Sequence, residues 1–264
     1  MALMQCSMRS NVLDSDVSVN VILPYDESSR ESKRAPAVLY LLHGYSDDHS
    51  GWLRSSRIER HVDGMNLAVV MPTVHNYFYR NTAVGVRYQD FIACELPDLI
   101  QTFFHVSSRR EDTFIAGLSM GGYGAFLTAL LHPAQYAMAA SLSGVLDIVE
   151  LCNGYKDADE NKTSVLYARA AFGKQGAQSG TDADLFYLAS QLSKSGAIKP
   201  KLLQYCGTED FLYDLNQNFK SYIETLDFDY SYAESPGAHT WDYWDSRIQD
   251  VLAEIKSMNQ TVCF

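Results

Sequence analysis

The sequence predicts an α/β fold: a mostly parallel central sheet with helices on both faces. Three observations carry that expectation. Short apolar runs alternate with stretches of helical spacing, the rhythm of strand–helix–strand units. Residues 113–146 hold no Asp, Glu, Lys or Arg, as buried strands and helices require. Glycines at 117, 121, 122 and 124 and the His132-Pro133 pair punctuate that stretch, which excludes a membrane span. Finally, Trp241, Trp244, Ile248, Val251 and Ile255 recur at intervals of three and four, so the last helix buries one stripe.

Residues 2–8 and 16–23 read as two edge strands. In the second, Val17, Val19, Val21 and Leu23 share one face, and Pro24 ends it. The charged stretch 26–36 reads as a loop. Residues 37–42 are almost continuously apolar and form a central strand running into His43-Gly44-Tyr45. A helix over 52–62, a buried strand at 67–72 and an aromatic-rich loop at 77–86 follow. From 90 to 104, Phe91, Ile92, Leu96, Leu99, Ile100 and Phe103 follow helical spacing, and Pro97 predicts a kink.

Residues 112–116 are a strand, 122–131 a closely packed helix, and 136–142 the next strand. The polar stretch 146–198 breaks the rhythm. It reads as a cap inserted over the C-terminal edge of the sheet, with short helices at 164–172 and 183–192. A strand at 201–206, a helix at 212–226 and a last strand at 229–233 resume the alternation.

Length and composition fit one domain carrying that cap. Of 264 residues, 47% are hydrophobic, enough for one sizeable core. The net charge of −11 argues against nucleic acid and against an anionic membrane surface. The cysteines, Cys6, Cys94, Cys152, Cys206 and Cys263, are odd in number and widely spaced, with no C-x-x-C. That argues against a disulfide framework or a zinc site and for a reducing, cytoplasmic setting. The N-terminus lacks the basic and apolar regions of a signal peptide.

The chain is organised around Gly117-Leu118-Ser119-Met120-Gly121, between a predicted strand and a predicted helix. In that context Gly-x-Ser-x-Gly is a nucleophile elbow: a strained turn lifts the serine hydroxyl off the sheet. A serine hydroxyl needs a base, and on this fold the order is nucleophile, acid, histidine. Two histidines lie downstream, His132 and His239. His132 ends the nucleophile's own helix, roughly 20 Å away at about 1.5 Å per residue, which leaves His239.

The histidine's carboxylate partner is expected in Gly207-Thr208-Glu209-Asp210-Phe211. Asp210 is the candidate, with Glu209 as rival and Asp214 a more distant one. The oxyanion is assigned to the backbone N–H groups of Tyr45 and Met120. His43 reads as structural. Asp47, Asp48 and His49 read as a solvated loop, since no second group at ligand spacing accompanies them. Trp52, Tyr77, Phe78 and Tyr79 fit either core or pocket.

Taken together, Ser18–Pro24, Leu41–Gly44, Gly117–Gly124, Cys206–Leu212 and His239–Asp245 resemble the esterase D family of α/β hydrolases, in its tributyrin-esterase-like branch. The resemblance implies the α/β-hydrolase fold and a cofactor-free carboxylesterase. It implies action on small-molecule short-acyl esters through Ser119, Asp210 and His239. Relatives include S-formylglutathione hydrolases, feruloyl and acetyl esterases, and secreted mycolyltransferases. S-formylglutathione hydrolases typically carry Gln after the aspartate, where this chain has Phe211. Competing expectations are acyl transfer to another alcohol or thiol, and a non-catalytic binding module on the same scaffold. A homo-oligomer is compatible with all of them.

Overall fold

The computed structural model describes residues 1–25, 34–155, 158–259 and 262. Eight strands form one sheet in the order β1-β2-β4-β3-β5-β6-β7-β8. They are β1 (Ala2–Ser10), β2 (Ser15–Leu23), β3 (Ala37–Leu42), β4 (Leu67–Pro72), β5 (Thr113–Leu118), β6 (Met138–Leu142), β7 (Lys201–Gly207) and β8 (Tyr230–Ser235). β2 pairs antiparallel with β1 and β4, and every pairing from β4 to β8 is parallel.

Each central strand serves two cores at once. On β3, Val38, Tyr40 and Leu42 join one buried cluster, while Ala37, Leu39 and Leu41 join another. The period-2 alternation of a strand divides them, so a nearly unbroken apolar run was required. The first cluster includes Tyr123 and Phe126 of α4 (Met120–Leu131). The second includes Ile248, Val251 and Ile255 of α9 (Trp241–Met258). Trp241 is only half buried and packs edge-on against Trp52.

Several sequence expectations are corrected. β2 is not an edge strand; β1 alone holds that edge, with β2 between it and β4. The helix expected over 52–62 is split into α1 (Gly51–Ser55) and α2 (Ile58–His61). At the break, the Arg57 N–H donates to Asp245 at 2.7 Å and Ser56 Oγ donates to the Trp52 carbonyl at 2.6 Å.

Pro97 lies in the first turn of α3 (Leu96–Phe104), and the irregularity precedes it as a π-helical turn at Phe91–Glu95. Pro97 has no N–H to offer the carbonyl four residues back. That carbonyl, on Ala93, accepts from Gln135 Nε2 at 2.9 Å instead. The loop expected over 26–36 falls largely outside the described residues.

Between β6 and β7 lie α5 (Ile148–Asn153), α6 (Thr163–Phe172) and α7 (Leu185–Ser195). The first was not foreseen. The Asp147 side chain caps it by accepting from the Glu150 N–H. α8 (Tyr213–Ile223) follows β7.

Parallel pairing brings the C-terminal ends of the strands to one edge, where sites form in such sheets. Leu42 pairs with Gly117, so the loop after β3 meets the loop after β5. Gly207 pairs with Ser235, so the loop after β7 meets the loop after β8.

Candidate active site

Ser119 sits between β5 and α4 with φ 52° and ψ −118°, a conformation L-residues rarely adopt. Its backbone is held from three sides. Its N–H donates to the Leu142 carbonyl at 2.8 Å, and its carbonyl accepts from Gly122 and Val145 at 3.0 and 3.3 Å. Both motif glycines are forced by close approach. A Cβ on Gly117 would lie 2.4 Å from the Gly121 carbonyl carbon. One on Gly121 would lie 2.6 Å from the carbonyl oxygens of Leu42 and His43.

His239 reaches Ser119 from the loop between β8 and α9, with Nε2 2.9 Å from Oγ. Its Nδ1 faces both oxygens of Asp210, at 2.9 and 3.0 Å. Two acceptor oxygens on that side place the ring proton on Nδ1. The lone pair of Nε2 is thereby left toward the serine hydroxyl. Phe211 and Trp244 flank the imidazole, with ring centroids at 4.6 and 4.8 Å.

Asp210 is buried and also accepts from the Leu212 N–H at 2.8 Å. Burial by itself would raise its pKa. The hydrogen bond from His239, the Leu212 amide and the Ser143 hydroxyl outweigh that and hold it below the usual carboxylate range. Ser143 in turn accepts from the Trp244 indole N–H at 3.1 Å.

The rival acids go elsewhere. Glu209 binds the Gly237 N–H and so ties the β7 loop to the histidine's loop. Asp214 is exposed in the first turn of α8, and His132 caps the far end of α4.

His43 is buried in the expected structural role. Its Nδ1–H donates to the Gly44 carbonyl at 2.7 Å, and its Nε2 accepts from the Val74 N–H at 3.1 Å. Burial pushes its pKa down to about 4. The loop carrying Tyr45 is pinned further by Tyr79 Oη donating to the His43 carbonyl at 2.8 Å. Met120 opens α4, whose first N–H groups have no partner within the helix. Asp48 accepts from Ser50, and His49 Nδ1 lies 2.8 Å from Thr73 Oγ1.

Two cavities meet at Ser119. A small one of about 160 Å³ is lined by Tyr45, Phe78, Met120, Val145, Leu151 and Tyr155, among others. A wider one of about 660 Å³ runs past Gly44, Arg54, His239, Thr240 and Trp241. Phe211 borders both and is 75% exposed. Of the four aromatics left open by the sequence, Trp52 and Tyr79 are core, Phe78 lines the small cavity, and Tyr77 stacks on Tyr88. Sequence reasoning missed Ser143 and gave Trp244 only a packing role. The one signal for Ser143 was a serine just past a strand's C-terminal end.

The family model described as "Putative esterase" matches residues 10–255. The chain belongs to this esterase family. An acetyl esterase of Caldicellulosiruptor saccharolyticus is 32% identical over 258 residues, 96% of this chain and 97% of that protein. The substrate-bound fluorophosphonate-binding serine hydrolase F of Staphylococcus aureus superposes with a TM-score of 0.88 at 34% identity, covering 98% of each chain. S-formylglutathione hydrolase from the same organism gives 0.85 at 34%, over 98% of this chain and 99% of that one. This esterase is thus a serine carboxylic ester hydrolase with the α/β-hydrolase fold. Among the described residues, no helix of the esterase is long and apolar enough to cross a membrane.

Proposed function

We propose that the chain hydrolyses short-chain acyl esters through an acyl-enzyme on Ser119. Ser119 Oγ attacks the ester carbonyl carbon while His239 Nε2 takes its proton. Asp210 holds the Nδ1–H tautomer and stabilises the imidazolium that forms. The N–H groups of Tyr45 and Met120 receive the oxyanion. As the tetrahedral intermediate collapses, the ester C–O bond breaks and His239 returns the proton to the leaving alcohol. Water then repeats the sequence, releasing the acid and restoring the serine.

The observation that carries the choice of substrate is the size of the small cavity beside Ser119. Its ~160 Å³ compares with a roughly 150 Å³ apolar cavity that accepts benzene. That size favours an acyl chain of a few carbons over an octanoyl or feruloyl group. The wider cavity faces His239, the group that protonates the leaving alcohol, and takes the alcohol portion. Residues 146–198 are read as the cap of a single domain, which the lining by Leu151, Tyr155 and Ser164 supports. A reducing, cytoplasmic setting belongs to the same reading, supported by unpaired Cys6, Cys94, Cys152 and Cys206.

The test is a turnover panel of p-nitrophenyl esters from acetate to octanoate, plus methyl ferulate, with and without an acceptor alcohol. The reading expects the highest kcat/KM at acetate to butyrate and water as the main acceptor. Preference for octanoate or ferulate, or transfer product in excess of free acid, would overturn it.

A further inference from the structure

A further cavity of about 370 Å³, here called the chamber, adjoins the small one. The two share a wall. α5 gives Leu151 to the small cavity and the next residue, Cys152, to the chamber. α6 does the same with Ser164 and Val165. Tyr155 alone among the described lining residues borders both spaces. Its backbone N–H donates to the Cys152 carbonyl at 3.1 Å, which ties it to the end of α5. Tyr155 is therefore the side chain that stands between the two spaces.

We propose that the Tyr155 side chain sets the acyl-length limit of this esterase, and that the chamber beyond it is a latent extension of the acyl site. The proposal rests on the short-acyl esterase reading above. Cys152, Val165 and Ala168 give the chamber a buried apolar surface, and Arg169, Lys174, Gln175 and Gln178 give it a polar one. Gly176 packs directly on Cys152, where a Cβ would lie 2.9 Å from Cys152 Cβ. An acyl chain passing Tyr155 has the Cys152, Val165 and Ala168 surface to lie against. Removing the ring joins the two spaces and admits a medium-length chain. Each methylene newly held in an apolar pocket carries roughly a tenfold discrimination or more.

The test compares kcat/KM for p-nitrophenyl octanoate and butyrate in the wild type, Tyr155→Ala, Tyr155→Phe and Tyr155→Ala/Ala168→Phe. The octanoate-to-butyrate ratio is expected to rise on the order of tenfold or more in Tyr155→Ala. It should stay near the wild-type ratio in Tyr155→Phe, which keeps the ring, and fall back in the double variant, whose chamber is filled. Tyr155→Val serves where the alanine variant does not fold. A ratio within twofold of wild type in the folded small-residue variant overturns the proposal, as does a rise that survives filling the chamber. A wild type inactive on butyrate removes the esterase reading itself. A wild type active on butyrate with an unmoved ratio removes only the wall.

Discussion

Glu209 and Gly237 grip each other across the two loops that carry Asp210 and His239. The Glu209 N–H donates to the Gly237 carbonyl at 3.0 Å, and the Gly237 N–H donates back to the Glu209 carboxylate. Those bonds extend the β7–β8 pairing past Gly207–Ser235 and set the height of the imidazole above Ser119. The carboxylate nearest Asp210 in sequence therefore holds the histidine's loop, whereas Asp210 holds the histidine's ring.

This division of labour predicts opposite outcomes at neighbouring positions. Asp210→Asn should lower kcat on p-nitrophenyl butyrate about 10⁴-fold with little loss of stability, because it favours the wrong tautomer. Glu209→Gln should keep kcat within about tenfold and instead lower the thermal midpoint, the loss of one charge-assisted bond to a backbone N–H. Steady-state kinetics and thermal melts on both variants check the pair.

Gly121 is the tightest steric position of the elbow that reaches another strand. Gly121→Ala forces a methyl against the Leu42 and His43 carbonyls. The expected cost is about 3 kcal/mol or more in denaturant unfolding, with activity lost because the loop after β3 and the turn at Ser119 move apart. A variant as stable and active as wild type would mean that β3 and α4 can separate freely.

His43 gives a pH dependence of known sign. Its folded pKa, about 4, lies below its ordinary value of 6.5. The folded state refuses a proton that the unfolded state accepts, so stability is full above pH 6.5 and falls as pH drops toward 4. The largest contribution is about 3 kcal/mol. Urea unfolding at several pH values should show a shallower slope through that window for His43→Asn than for wild type.

Much of this architecture was legible because burial on both faces leaves little freedom in composition. The runs at Ala37–Leu42, Leu67–Pro72 and Thr113–Leu118 are all-buried strands, and their neighbours' glycines announce the elbow. Ser119 and His239 followed from chain order and elimination. Asp210 did not, since two adjacent acids at the end of β7 differ only in which way the turn points them. β2 looked like an edge because its own residues alternate, while the neighbour it lacks or has is a fact about β4. α5 was missed because its cap and charged first turn look like loop. The wall at Tyr155 joins residues from α5 and α6 whose meeting no local pattern encodes.

The proposed reaction stands or falls on Ser119 as the acylated residue. The most direct measurement is peptide mass mapping after reaction with a fluorophosphonate. One adduct is expected, on Ser119, formed in proportion to lost esterase activity and absent from Ser119→Ala. Loss of activity with the adduct on another residue and Ser119 unmodified would contradict it.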